Sequence, residues 1–342
     1  MLVIVAIIAI IIVIIFLSSQ DSLSEIIRFS DENLEIVVRE ILNEHNRDLT
    51  RGDLINITEL HASDRGIRYV SDLQYMRELR IVDLGNNNIR DLYGLHYLLH
   101  LEELHLNGNR IDNLDEIVEA LGNLEILDLS SNDLIDASQL NGRNNLTTLI
   151  LDNIGIYDAS ILQNLPSLTK LSLNNNHIGN IEALQQFSSL TILRLDNAGI
   201  DDISILYNFP NLTELSLNDN NITIIEVLRQ LPELTILRLD NNRISRYDGP
   251  RCNNHRQLIS EQPLLALNNL KLLSLKNTGI INTYVLREMN LQSLERMYLC
   301  SNPIRNTPHR EAHMRALRNR AGCSDDENRK IITQAECTYC RR

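Results

Sequence analysis

One arrangement of apolar and polar positions recurs along most of this chain. The template Lxx-LxL-xx-N-x-I fits from Ile57, Leu79, Leu101, Leu124, Leu146, Leu168, Leu190, Leu212, Leu234, Leu270 and Leu294. Its four apolar positions are apolar in all eleven copies, the smallest occupant being Ala62. The steps between copies are 22 or 23 residues, apart from a final 36 and 24. In each copy LxL predicts a short strand with both leucines in the core and the residue between them facing out. A turn of this length cannot bury its own apolar face, so neighbouring copies must stack and share a core. The fold predicted is an α/β solenoid, curved, with a parallel sheet on the concave side and irregular or 3-10 structure on the convex side.

The asparagine of the template (Asn87, Asn109, Asn132, Asn176, Asn220, Asn242, Asn302) suits a buried amide that satisfies backbone groups at the turn. Four copies lack it and carry Arg65, Ile154, Ala198 or Thr278, and there the next residue is glycine: Gly66, Gly155, Gly199 and Gly279. No asparagine copy has glycine at that place. The pattern predicts positive φ at those four glycines. A longer period also shows, since residues 168–211 and 212–247 read in parallel, as though two copies were duplicated together. The 36-residue step holds an insertion at 245–263 that reads as a loop leaving the stack.

Outside the repeats, Phe29 to Leu42 places apolar residues at 34, 37, 38, 41 and 42, one helical face, with Ser30 as its expected N-cap. That helix and the segment Leu49-Thr-Arg-Gly-Asp-Leu-Ile-Asn-Ile-Thr-Glu-Leu-His-Ala-Ser-Asp-Arg-Gly-Ile resemble the cap and first repeat of internalin-like bacterial surface proteins with 22-residue repeats. The resemblance spans roughly residues 29–306. It implies a secreted or surface-displayed scaffold that recognises proteins. No immunoglobulin-like region or wall-sorting motif follows the repeats, in contrast to typical internalins. At the C-terminal end, Thr307-Pro308 opens a helix that Gly322 closes, and Ser324 to Glu327 forms a capping box for a second.

Domain organisation follows. Residues 1–20 are a signal peptide or membrane anchor, because Leu2 to Leu17 is apolar without interruption. Residues 21–56 form a helical N-terminal cap, 57–306 eleven repeats, and 307–342 a helical, Cys-containing C-terminal cap. Leu, Ile and Asn number 59, 42 and 40 of 342 residues, which excludes disorder and fits one small pattern used many times. The formal net charge of −13 argues against nucleic acid. Charge is uneven, with 17 Lys/Arg against 37 Asp/Glu in residues 1–250 and 15 against 8 in 251–342. All five cysteines (Cys252, Cys300, Cys323, Cys337, Cys340) lie in the basic part, where disulfides, free thiols or a metal with His309 and His313 are the alternatives; the spacing fits no zinc pattern, and disulfides are the expectation.

The residues between the leucines form the candidate ligand-binding row on the concave face: His61, Asp83, His105, Asp128, Ile150, Arg194, Arg238 and Tyr298, with Ser172, Ser216 and Ser274 among them. Asp152, Asp196 and Asp240 stand in the adjacent column. Two subsites follow, a His/Asp row in which imidazoles beside carboxylates would titrate near neutrality, and an Arg/Asp checkerboard. The plainer alternative is a solvated sheet face. No catalytic residue, metal site or cofactor is predicted, for want of a nucleophile elbow, phosphate loop or HExxH. The function expected is a non-enzymatic extracytoplasmic scaffold that binds a protein partner and meets the membrane through its apolar N-terminus. The alternative is an intracellular regulatory scaffold resembling phosphatase-regulator repeats.

Overall fold

A computed structural model describes residues 23–118, 120–244, 262–280, 284–290, 292–302 and 331–332. The apolar run 2–17, residues 245–261 of the insertion with Cys252, and the C-terminal segment with His309, His313, Cys323, Cys337 and Cys340 lie outside them. Among the described residues no helix is long and apolar enough to cross a membrane. The chain divides into two compact units, residues 1–146 and 147–342.

In the first unit, strands β1 (Glu59–His61), β2 (Ile81–Asp83), β3 (Glu103–His105) and β4 (Ile126–Asp128) pair in parallel, in chain order. In the second, β5 (Thr148–Ile150), β6 (Lys170–Ser172), β7 (Ile192–Arg194), β8 (Glu214–Ser216), β9 (Ile236–Arg238), β10 (Leu272–Ser274), β11 (Arg296–Tyr298) and β12 (Ile331–Ile332) do the same. Short 3-10 segments such as Tyr93–Tyr97 and Ser204–Asn208 return the chain on the other side of the core. Strand leucines (Leu60, Leu193, Leu215) and 3-10 leucines (Leu95, Leu206) are all fully buried between these two layers. Aliphatics fill the thin repeat.

The strands sit one residue earlier than the LxL motif suggests. Each is x-L-x, so the first leucine points inward from mid-strand, while the second (Leu84, Leu195, Leu239) is buried just beyond the strand end. Each strand therefore presents two outward positions, and the first of them was not anticipated.

The template asparagines are buried and bond backbone groups of adjacent copies. Asn220 Nδ2 donates to Leu195 O at 2.8 Å and Leu217 O at 3.0 Å, and its Oδ1 accepts from Ala198 N at 3.1 Å and Ile200 N at 3.0 Å. The other six are buried with the same donor geometry. All four predicted glycines have positive φ, at 74°, 77°, 75° and 82° for Gly66, Gly155, Gly199 and Gly279. The reason is visible in the bonds. In a copy that lacks Asn, two backbone N–H groups reach the asparagine of the next copy, as Arg65 and Ile67 do with Asn87. In an Asn copy only one does, as Ile89 with Asn109. The left-handed residue turns the second N–H inward. A Cβ at Gly155 would meet nothing within 4 Å. Gly155→Ala should therefore cost only the backbone term, about 1–2 kcal/mol by urea unfolding, and Gly155→Asn less.

A second left-handed position precedes every template Asn site: Asp64, Asn86, Gly108, Ser131, Asn153, Asn175, Asn197, Asp219, Asn241, Asn277 and Ser301. Asn and Asp tolerate this conformation best among residues with a side chain, which accounts for more of the asparagine content.

At the N-terminal side, α1 spans Glu32–Leu42 and α2 spans Arg51–Leu54. The N-cap of α1 is Asp31, not Ser30. Its Oδ1 accepts from Asn33 N and Leu34 N, while Oδ2 accepts from Arg68 N at 2.7 Å and Tyr69 N at 3.1 Å in the first repeat. A carboxylate reaches two elements at once, which a serine hydroxyl does not. The Ser30 N–H instead donates to Asp72 Oδ2 at 2.7 Å. Leu34, Val37 and Val38 are buried as expected, but Ile41 is 43% exposed.

Candidate functional site: the outward strand face

Within the first unit, register aligns His61 with Asp83, Asp83 with His105, and His105 with Asp128. The row exists, but the pairing within it differs from expectation. Asp83 Oδ1 accepts from Gly85 N at 3.0 Å, and Asp128 Oδ1 from Ser130 N and Oγ at 2.9 and 2.6 Å. The imidazoles face glutamates on their own strands: His61 Nε2 lies 3.5 Å from Glu59 Oε2, and His105 Nε2 3.9 Å from Glu103 Oε2. Side chains two apart on a strand share a face, so the unanticipated first column supplies these partners.

Within the second unit, register carries Ile150, Ser172, Arg194, Ser216, Arg238, Ser274 and Tyr298 in one column. The three serines are buried rather than exposed. The adjacent aspartates cover them. Asp152 Oδ1 accepts from Ser172 Oγ at 2.7 Å and Asn174 N at 2.8 Å. Asp196 repeats this with Ser216 and Asn218, and Asp240 with Ser274 and Lys276. Asn174 Oδ1 then accepts from Asp196 N, and Asn218 Oδ1 from Asp240 N, each at 2.8 Å. The result is an alternating Asp–Asn ladder at the strand ends, with the period of two repeats.

The Arg/Asp checkerboard is therefore not the pairing observed. Arg194 Nε and Arg238 Nη1 both donate to Glu214 Oε1 at 3.0 Å, from strands on either side of β8. Glu214 belongs to the unanticipated column. Its carboxyl feels burial, which raises its pKa, but the two guanidiniums outweigh that and hold it below the usual glutamate range. Because the folded pKa is depressed, this stabilisation is present above the ordinary glutamate range and is lost as pH falls through the folded value. Unfolding midpoints in urea should drop as pH falls through and below the ordinary glutamate range, and Glu214→Gln should flatten that part of the slope. An unchanged slope would contradict the assignment. Tyr298 sits under Lys276, whose Nζ is 4.8 Å from the ring centroid and 3.3 Å from Asp240 Oδ2.

The first column also carries aliphatic residues. Ile81 and Ile126 in the first unit, and Ile192, Ile236 and Leu272 in the second, are half-exposed, as is Ile150 beside them. Cys300, at the end of the Asp–Asn column, is buried and disulfide-bonded. Among the described residues no group of His, Cys, Asp and Glu is placed to hold a metal.

Family models described as Leucine Rich repeats (2 copies) match residues 144–186, 166–208 and 210–249, and one described as Leucine Rich Repeat matches 100–124. The matched segments are leucine-rich repeats. Leucine-rich repeat scaffolds of this kind typically bind proteins rather than catalyse reactions. No curated protein sequence matches the chain. Among solved structures, the leucine-rich repeat chain is similar to an internalin (inlF) of Listeria monocytogenes at 24% identity and a TM-score of 0.67, over 85% of this chain and 87% of that one. It is similar to internalin C2 of the same organism at 29% identity and a TM-score of 0.50, over 71% and 92%. The Arabidopsis receptor kinase HAESA, in complex with a peptide hormone and a co-receptor, shares the fold at 21% identity and a TM-score of 0.56, over 72% of this chain and 42% of that one.

Proposed function

We propose that this leucine-rich repeat chain is a non-enzymatic scaffold outside the cytoplasm that binds a protein partner with its outward strand face. One observation carries the reading. Six half-exposed aliphatic side chains stand among charged residues, Ile81 and Ile126 on the strand face of the first unit and Ile150, Ile192, Ile236 and Leu272 on that of the second. A face that served only to keep the sheet soluble would have no use for them, whereas apolar anchors with a polar surround are how protein interfaces are composed. The candidate contacts are His61, Asp83, His105 and Asp128 in the first unit, and Ile150, Arg194, Arg238 and Tyr298 in the second. Asp152, Asp196 and Asp240 take part as the ladder that positions them.

The placement outside the cytoplasm rests on the apolar run Leu2 to Leu17, on five cysteines gathered in the C-terminal part, and on the likeness to internalin C2. In this reading residues 1–20 direct export, as a cleaved signal or a retained anchor, 21–56 close the N-terminal end of the core, and 307–342 close the other. Disulfides among Cys252, Cys300, Cys323, Cys337 and Cys340 belong to that second closure. Cell fractionation of the tagged full chain tests the placement. Recovery with membranes or in the medium supports it, and a cytosolic pool would favour an intracellular regulatory scaffold instead.

A further inference from the structure

The outward face of the second unit shows solvent a charge opposite to that of the whole chain. Five cations stand on its three columns: Lys170, Arg194, Arg238, Lys276 and Arg296. The four carboxylates beside them are committed internally. Asp152, Asp196 and Asp240 bond serine hydroxyls and backbone N–H groups, Asp240 also pairs with Lys276, and Glu214 bonds two guanidiniums. Exposure follows the same division. Side chains of Glu214 and Asp240 are 12% and 15% exposed, against 43%, 33% and 43% for Arg194, Arg238 and Lys276. The face is basic in a protein of net charge −13.

Glu214 uses one oxygen for both arginines, and each arginine spends little on it. Arg194 donates only through Nε and Arg238 only through Nη1, so among the described residues the remaining N–H groups of both have no hydrogen-bond acceptor. Two guanidiniums against one carboxylate leave the trio a net positive charge. Side-chain entropy that a free arginine would lose on binding is partly lost already, because both are held by a shared partner. Guanidinium presents its donors as a planar fork that matches a carboxylate. Ile192 and Ile236 lie in the same column as Glu214, on either side of it, and supply apolar contact next to the charge.

Resting on the reading of this face as a protein-binding surface, we infer that Arg194 and Arg238 form a carboxylate-binding subsite for an acidic segment of the partner, with Glu214 as the internal spacer that presents them. Glu214 then has two opposed effects. It orders the arginines, and it competes with the incoming carboxylate for them.

The test uses the full chain and a fluorescent oligo-glutamate peptide, with an oligo-lysine peptide of equal length as control, followed by fluorescence anisotropy at low salt. Oligo-glutamate binds, oligo-lysine does not, and Arg194→Gln with Arg238→Gln weakens binding at least about tenfold. Glu214→Gln tightens it severalfold, because the competing charge is gone while the amide oxygen still accepts from the arginines. Lys170→Gln, further from the pair, changes it by about twofold or less. Circular dichroism spectra of the arginine variants match the parent's, and their thermal midpoints fall by no more than that of Glu214→Gln or of the parent at acid pH, which separates lost binding from lost folding. The inference is overturned if oligo-glutamate binding is absent or independent of the arginines, or if Glu214→Gln weakens it. Such a result leaves the broader reading standing wherever partner capture still depends on Ile192, Ile236 and Leu272. Arginine-dependent binding of the peptide by a chain whose partner capture ignores this face supports the subsite and rejects only the broader reading.

Discussion

Replacing Asn220 with Ala should lower the unfolding free energy by about 3–5 kcal/mol, read from urea titrations of the full chain followed by circular dichroism. Asn220 sits in a buried position and bonds five backbone groups at once, the carbonyls of Leu195, Leu217 and Asn218 and the N–H groups of Ala198 and Ile200. Alanine leaves Leu195 O, Ala198 N and Ile200 N without a partner where water does not readily reach, while Leu217 O keeps its bond from Asn242 Nδ2, and each buried unpaired group costs about 1–3 kcal/mol before relaxation. Asn242→Ala should cost less, since only Ile222 N reaches Asn242 Oδ1. The difference between the two variants follows from Gly199, whose left-handed turn sends the second N–H to Asn220. Equal losses at the two positions would contradict this division of labour.

Gly94→Ala should be at least as damaging, with a loss above about 3 kcal/mol confined to the first unit. A Cβ built there falls 1.8 Å from Val70 O, 2.7 Å from Val70 C and 2.9 Å from Ser71 C. All three atoms are backbone, so no rotamer change relieves the clash, and the 3-10 segment Tyr93–Tyr97 must lift off the preceding one at Ser71–Tyr75. Tyr93 and Tyr97, whose hydroxyls bond at 2.8 Å, would move with it. Limited proteolysis should then cut near residues 69–97 before any other site. Gly122→Ala is the control, since a Cβ there meets nothing within 4 Å, and it should leave stability within about 0.5 kcal/mol. Resistance of the Gly94 variant to proteolysis would show that the layers are looser than described.

The repeat period and its four apolar positions made the fold legible because every copy must bury the same leucines, and the core tolerates little else. The asparagine and glycine alternatives were legible for the same reason, as each solves one backbone problem in one place. The outward face was harder. LxL marks what is buried, whereas the strand is x-L-x, and so the motif does not point to Glu59 in the first unit or to Ile192 and Glu214 in the second. An aspartate after LxL looks alike whether it meets solvent or a neighbouring backbone N–H, so the sequence alone does not distinguish a binding role for Asp152, Asp196 and Asp240 from their bonds to Ser172, Ser216 and Ser274. The alternation Asp152, Asn174, Asp196, Asn218, Asp240 was the available signal, since only a ladder requires donor and acceptor to change places in successive copies. Asp31 was missed because its second oxygen bonds Arg68 and Tyr69, which lie 37 and 38 residues away.

The account stands on the outward strand face as the surface that binds. Its most direct test compares partner capture by two triple variants of the full chain with matched stability. One carries Ile192→Ser, Ile236→Ser and Leu272→Ser on the strand face, and the other carries Tyr157→Ser, Tyr207→Ser and Ile224→Ser at exposed apolar positions away from the strands. The account predicts that the strand-face variant loses the captured partner while the second retains it. Retention by the strand-face variant, with loss by the other, would contradict it.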